Sequence, residues 1–302
     1  MDYIFNYESF FGKKVMDFIQ NKIVCDQIFS AGEQIHLDIF ERDKNAPTIV
    51  FSHGMAGYGR LLSPYAYRLY NSGYNVILPD LAGYGHNEGL RGHWTWKELI
   101  ANLVDACNYA KEQYNDNVYL AGGSMGGCLA YHAVCHNAPV KALASYCLFD
   151  FQDKELLKEA SAYGIFTSAI KNTLKLLSVF MPKIRIPATK VSSYDNLSDS
   201  KDFNNLVKND PLGGNKMSLK AAAEMLSIAL PIKFEDYDIV PTLVIQPSAD
   251  KMTPAKYSLK AYNLLKTDKK KYVEVKGRGH WVYDDEGVDL ICTEMVNWFK
   301  GK

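Results

Sequence analysis

At 302 residues, 47% hydrophobic and 23% charged, the chain is long enough to bury a substantial core, and its balance excludes a disordered or fibrous protein. Lys plus Arg and Asp plus Glu both number 34, so no global field favours nucleic acid or an anionic membrane, and a small, mainly uncharged substrate is the expected partner. The opening MDYIFNYESFFGKKVMDFIQNK lacks the basic start and apolar run of a signal peptide, and no uninterrupted apolar stretch of about eighteen residues occurs, so a cytoplasmic protein without a membrane span is expected.

After an N-terminal helix, KIVCDQIFS and QIHLDIFER flank a turn at Ala31 and Gly32 and read as an antiparallel hairpin. The runs TIVFSHG, YNVILPD, NVYLAGG and VKALASYCLF are short, β-rich and bounded by Gly, Asp or Asn, as strands covered on both faces should be. Helical stretches lie between them, from about Arg60 to Asn71, Trp96 to Tyr114 and Met125 to Asn137. This alternation predicts an α/β fold, a mostly parallel sheet flanked by helices. From Phe151 to about Asp238 no strand run appears, and the apolar segment YGIFTSAIKNTLKLLSVF gives way to SSYDNLSDSKDFNN, which reads as a loop. The alternation resumes with TLVIQPSAD, a helix near Ala255 to Leu265, KYVEVKGRGH and a last helix to Phe299. The simplest organisation is a core domain of residues 1–150 and 239–302, interrupted by a helical cap at 151–238. The six cysteines form no C-x-x-C pair and no His cluster has metal-ligand spacing, so reduced, mostly buried thiols and no cofactor or metal are expected.

Gly122-Gly123-Ser124-Met125-Gly126 lies where a predicted strand passes into a predicted helix. On such a turn the serine backbone is strained, the flanking glycines keep side chains out, and the hydroxyl stands above the sheet edge beside the first amides of the helix. Ser124 is the candidate nucleophile and the Met125 amide a candidate oxyanion donor; a glycine turn packed on the helix, with an anion at its N-terminus, is the alternative. A serine hydroxyl needs a base, and His280, in the loop after the last predicted strand, is best placed. His132 and His136 lie within a helix, His36 in the hairpin, and His86 and His93 in a loop that can line an entrance. Asp250 closes TLVIQPSAD at a strand's carboxyl end, which gives the order Ser124, Asp250, His280; Asp150, ending the neighbouring strand, is the rival acid, and Asp284 and Asp285 read as helix caps. The loop His53-Gly54-Met55-Ala56-Gly57 nominates the Met55 amide as the second oxyanion donor.

FSHGMAGYGR, LPDLAGYGHNEGLRGH, AGGSMGGCLA, LVIQPSADKMTP and VKGRGHWVYDD together resemble the α/β-hydrolase superfamily, within it the monoacylglycerol lipase and lysophospholipase-like branch. The resemblance implies a triad of Ser124, Asp250 and His280, oxyanion amides at Met55 and Met125, no cofactor, and cleavage of an acyl ester through an acyl-enzyme. This chain has Gly123 where that branch usually has histidine, Asn87 where serine is frequent, and Tyr58-Gly59 in place of an acidic-His pair. Cap residues Ile165, Phe166, Ile170, Leu174 and Leu177 are candidates for an acyl channel or for packing onto the domain beneath. A peptidase or amidase, a thioesterase and a non-catalytic ligand receptor of the same fold are the competing functions.

Overall fold

A computed structural model describes residues 2–161, 168–190 and 194–302. Helices α1 (Glu8–Phe11) and α2 (Lys13–Lys22) precede the hairpin β1 (Val24–Ser30) and β2 (Glu33–Phe40), which turns at Ala31 and Gly32, both at positive φ. Then come β3 (Thr48–Ser52), α3 (Ser63–Asn71), β4 (Asn75–Pro79), α4 (Trp96–Gln113), β5 (Val118–Gly123), α5 (Met125–Cys135) and β6 (Leu143–Tyr146). The segment 151–238 carries α6 (Lys154–Ser161), α7 (Ser168–Phe180), β7 (Arg185–Pro187), α8 (Lys201–Asn209), β8 (Lys216–Ser218) and α9 (Leu219–Met225). The chain ends with β9 (Thr242–Pro247), α10 (Ala255–Leu264), β10 (Lys270–Val275) and α11 (Asp285–Phe299).

The eight-stranded sheet has the order β1-β2-β4-β3-β5-β6-β9-β10, parallel from β4 onward and antiparallel only where β1 meets β2 and β2 meets β4. Every residue of β3, β4, β6 and β9 is buried, which is why these strands read as continuous apolar runs rather than alternating ones. Separate clusters cover the two faces: one joins Val50, Leu120 and Val244 to α4 and α5, the other joins Ile49, Phe51 and Ile245 to α3 and α11. A third, around Phe11, Tyr58 and Phe203, joins the N-terminal helices to the 56–61 loop and α8. Helix ends follow the local chemistry: Thr95 and Glu98 close a capping box on α4, and Asp284 caps α11 by accepting from Gly287 N–H, whereas Asp285 lies in the first turn. No helix among the described residues is long and apolar enough to cross a membrane.

Two features of 151–238 differ from expectation. The segment is not free of strands, because β7 and β8 pair antiparallel, with Ile186 opposite Met217; three residues per strand are too few for a period to register. The polar stretch expected as a loop carries α8, which starts at the Ser200 cap and buries Phe203, Asn204 and Val207 on one face; its first residues, 192 and 193, lie outside the described residues. Of the suggested channel residues, Ile165 and Phe166 lie outside the described residues, as does the side chain of Ile170; Leu174 packs against the core and Leu177 is exposed.

Candidate active site

β5 ends at Gly123 and α5 begins at Met125, leaving Ser124 alone on the turn with φ 57° and ψ −128°. A Cβ on Gly122 would lie 2.0 Å from Gly126 O, and one on Gly126 would lie 2.4 Å from His53 O, so both positions require glycine. Ser124 N–H donates to Tyr146 O (2.9 Å), tying the turn to the next strand. Two more non-glycine residues with positive φ surround it, Ala56 at 61° and Cys147 at 68°; such backbone persists only where packing over-determines it.

His280 arrives on the loop after β10. Its Nε2 stands 2.8 Å from Ser124 Oγ and its Nδ1 2.7 Å from Asp250 Oδ2. With a proton on Nδ1 donating to the carboxylate, Nε2 is free to accept from the serine. The sequence-predicted serine, histidine and Asp250 thus converge on one edge of the sheet; Asp150, half-buried, instead accepts from Gln152 N–H (2.8 Å). Asp250 Oδ1 accepts from the amides of Met252 and Thr253, both at 2.8 Å, and Gln246 Nε2 donates to Oδ2 at 3.2 Å. Burial pushes this carboxyl upward, but His280 and the two amides hold it below the ordinary carboxylate value.

The His53–Gly57 loop lies against the serine: a Cβ on Gly54 would be 3.0 Å from Ser124 Cβ. His53 is wholly buried and neutral, its pKa lowered by burial; Nδ1–H donates to Gly54 O (2.8 Å) and Nε2 accepts from Leu81 N–H (3.0 Å). Met125 N–H, as the first amide of α5, has no intrahelical acceptor. Met55, Ser124 and His280 share one cavity, lined otherwise by Phe51, Leu62, Tyr65, Tyr146, Tyr194, Leu197, Val207, Met252 and Trp281 with small residues between them. Its tyrosine hydroxyls are spent on backbone carbonyls, Tyr65 on Val282 (2.6 Å), Tyr146 on His280 (2.6 Å) and Tyr194 on Gly214 (3.3 Å). No Asp, Glu, Lys or Arg lines it.

Sequence reasoning missed Tyr65 and Tyr146, which fix the backbone on either side of Trp281, and Tyr194, Leu197 and Val207 from segment 151–238. A buried tyrosine, in a helix like Tyr65 or at a strand end like Tyr146, carries no motif, and the wall residues come from a stretch whose polarity hid its helix. The remaining histidines are engaged elsewhere: His132 stacks on Trp96 at 5.6 Å, His136 holds His132 O, and His93 meets Ser218 Oγ at 3.0 Å. His36, on β2, bonds Asp38 and His86 bonds Asp80; of the two loop histidines expected near an entrance, neither His86 nor His93 lines the cavity. The sets Cys25–His36–Asp38, His36–Asp80–His86 and Cys147–Asp250–His280 bring ligand-type atoms within 4.8 Å of one another. In the first two, Asp38 is committed to Arg60 Nε at 2.9 Å and Asp80 to Gly59 N–H and His86, which makes a charge network linking β2 to the loop after β4. Asn87, at one of the departures from the resembled pattern, accepts from His36 N–H (2.7 Å) and donates to the carbonyls of Asp80 and Leu81 in the same network.

Among curated proteins, a phospholipase of Bacillus subtilis, YtpA, is 26% identical over 252 residues, covering 82% of this chain and 92% of that one. Two similar solved structures share the fold. Monoacylglycerol lipase from Paleococcus ferrophilus has TM-score 0.70 at 19% identity, covering 88% of this chain and 98% of that one. A soluble variant of monoglyceride lipase from Saccharomyces cerevisiae, in complex with a substrate analogue, has TM-score 0.73 at 13% identity, covering 93% and 96%. The Hydrolase_4 family model, serine aminopeptidase S33, matches residues 43–287. With the sheet order and the strand-turn-helix at Ser124 already in place, that match over most of the sequence makes this chain a member of the serine aminopeptidase S33 family of α/β-hydrolases.

Proposed function

We propose that the chain is a serine hydrolase that cleaves carboxylic esters of apolar acids. Ser124 attacks the carbonyl while His280 takes its proton, Asp250 steadies the imidazolium, and the amides of Met55 and Met125 hold the oxyanion. His280 then returns the proton to the leaving alcohol, and a water activated by the same imidazole releases the acid from Ser124. Segment 151–238 serves as the cap that shapes the acyl pocket.

The observation that carries this reading is the unbroken chain of hydrogen bonds from Ser124 to Asp250, opening onto a cavity with an apolar wall and no charged side chain. The lining also weighs against the aminopeptidase activity in the family's description. A free α-amino group asks for a carboxylate, whereas a hydrocarbon or aryl acyl group asks for none. The lipase and phospholipase names among the relatives agree with an ester substrate.

A fluorophosphonate probe is expected to add covalently to the wild type and not to Ser124→Ala. On p-nitrophenyl esters of increasing chain length, kcat/KM should rise from acetate to medium-length acyl groups, while an aminoacyl anilide stays uncut. Labelling that survives Ser124→Ala sinks the mechanism, and preference for the anilide sinks the ester assignment.

A further inference from the structure

The 53–57 loop is not held by the sheet alone. It doubles back through a bond from Gly57 N–H to Gly54 O (3.2 Å), with Ala56 at positive φ. Part of what holds Ala56 comes from the inserted segment. Gly214 N–H donates to Ala56 O (3.2 Å), and Leu212 O accepts from Gly85 N–H (2.9 Å). The packing leaves no slack, since a Cβ on Gly213 would lie 2.7 Å from Ala56 O, and one on Gly214 would lie 2.4 Å from the Tyr84 ring.

At the head of this turn sits Asp210, with no exposed surface. Its Oδ2 accepts the hydroxyls of Tyr7 (2.9 Å) and Tyr58 (3.0 Å), and its Oδ1 accepts Leu212 N–H (2.9 Å). One carboxylate thus joins the N-terminal segment, the insertion and the residue that follows the 53–57 loop. Burial raises its pKa in spite of these bonds, and its hydrogen bonds come from neutral donors. A buried charge answered only by neutral donors costs more than a neutral side chain closing the same turn, so stability alone is a weak reason for it.

We propose that Asp210 is a positioning residue for the oxyanion site: by fixing Tyr58 and seating the Asp210–Gly214 turn on Ala56, it sets where the Met55 amide stands relative to Ser124. The inserted segment then supplies part of the machinery as well as a wall of the pocket. This inference rests on the serine-hydrolase reading above.

The wild type, Tyr58→Phe, Asp210→Asn and the double variant are compared on p-nitrophenyl butyrate, with active sites counted by fluorophosphonate titration so that unfolded protein drops out of kcat. Each single variant should lower kcat per titrated site by about tenfold or more, short of the roughly hundredfold or greater loss on removing a donor outright, with KM little changed. Affinity for an alkyl boronic acid, whose adduct on Ser124 is tetrahedral, should fall by the same factor as kcat/KM. The double variant should be little worse than the poorer single one, because both changes break one connection. A lower Tm with kcat and boronate affinity unchanged overturns the proposal. If Asp210→Asn does not fold, Tyr58→Phe, which removes one hydroxyl, decides by the same readouts. A wild type that takes no fluorophosphonate at Ser124 overturns the enzyme reading itself, a result separable from normal labelling with unaffected variants.

Discussion

Around Asp250, each oxygen has a separate task. Oδ1 accepts two backbone amides from its own turn, which fixes the carboxylate, while Oδ2 faces His280 at 2.7 Å with Gln246 Nε2 as a longer second donor at 3.2 Å. Replacing Asp250 by Asn puts an amide where an acceptor is needed and turns the imidazole to the wrong tautomer, so kcat should fall by about four orders of magnitude. Asp150→Asn should change kcat by no more than a few-fold, since Asp150 caps its own turn. Steady-state kinetics on one ester would check both, and a reversed result would transfer the acid role to Asp150. The sign of the Asp250 shift adds a stability test. Its folded pKa lies below the unfolded value, so its contribution is complete above the ordinary carboxylate range near about 4 and is lost as pH falls through the lower, folded value. Ser124, Asp250 and His280 are legible as candidates because each lies in the turn or loop that follows a strand, Ser124 directly after β5, Asp250 three residues after β9 and His280 five after β10, and apolar runs mark where those strands stop. Tyr146 and Tyr65 left none, since their part depends on which distant carbonyl each hydroxyl meets.

Helix α5 shows the same logic one level up. It is buried along almost its whole length, so His132, two turns beyond Ser124, lies against Trp96 of α4 with the rings 18° from parallel. Burial, with His136 nearby, lowers its pKa to about 4. The unfolded chain binds a proton at this residue below about pH 6.5, while the folded chain does not until about 4; over that window the unfolded state binds more protons and stability must decrease as pH is lowered. The full effect is on the order of 3 kcal/mol. Urea unfolding at pH 7 and pH 5 should show a drop in midpoint that His132→Phe reduces, and an equal drop in the variant would assign the acid sensitivity to other groups. Long elements of this kind were readable from composition. The ribbon β7–β8 was not, because a three-residue strand has no period, and α8 was hidden by its charges, although Phe203 and Val207 stand one helical turn apart.

Across the whole molecule, segment 151–238 does not carry a core of its own among the described residues. Met217, Ala221 and Ala222 join the cluster on the α4–α5 face, while Tyr194, Leu197, Phe203 and Val207 join the one that includes the N-terminal helices. Phe203 is the hub of the latter: its ring lies within 6.3 Å of Tyr7, Phe10, Phe11, Trp281 and Tyr283, and the last two follow His280 in the same loop. Truncating it to alanine should cost about 3–5 kcal/mol and leave a cavity beside that loop. The two clusters on the sheet do not contain it, so the loss should be local at first. On heating Phe203→Ala, ester hydrolysis should therefore disappear several degrees before the far-UV circular dichroism signal, whereas in the wild type the two should run closer together. Coincident curves in the variant would mean that segment 151–238 and the sheet melt as one cooperative body, with His280 held as firmly by the rest of the fold as by this aromatic cluster.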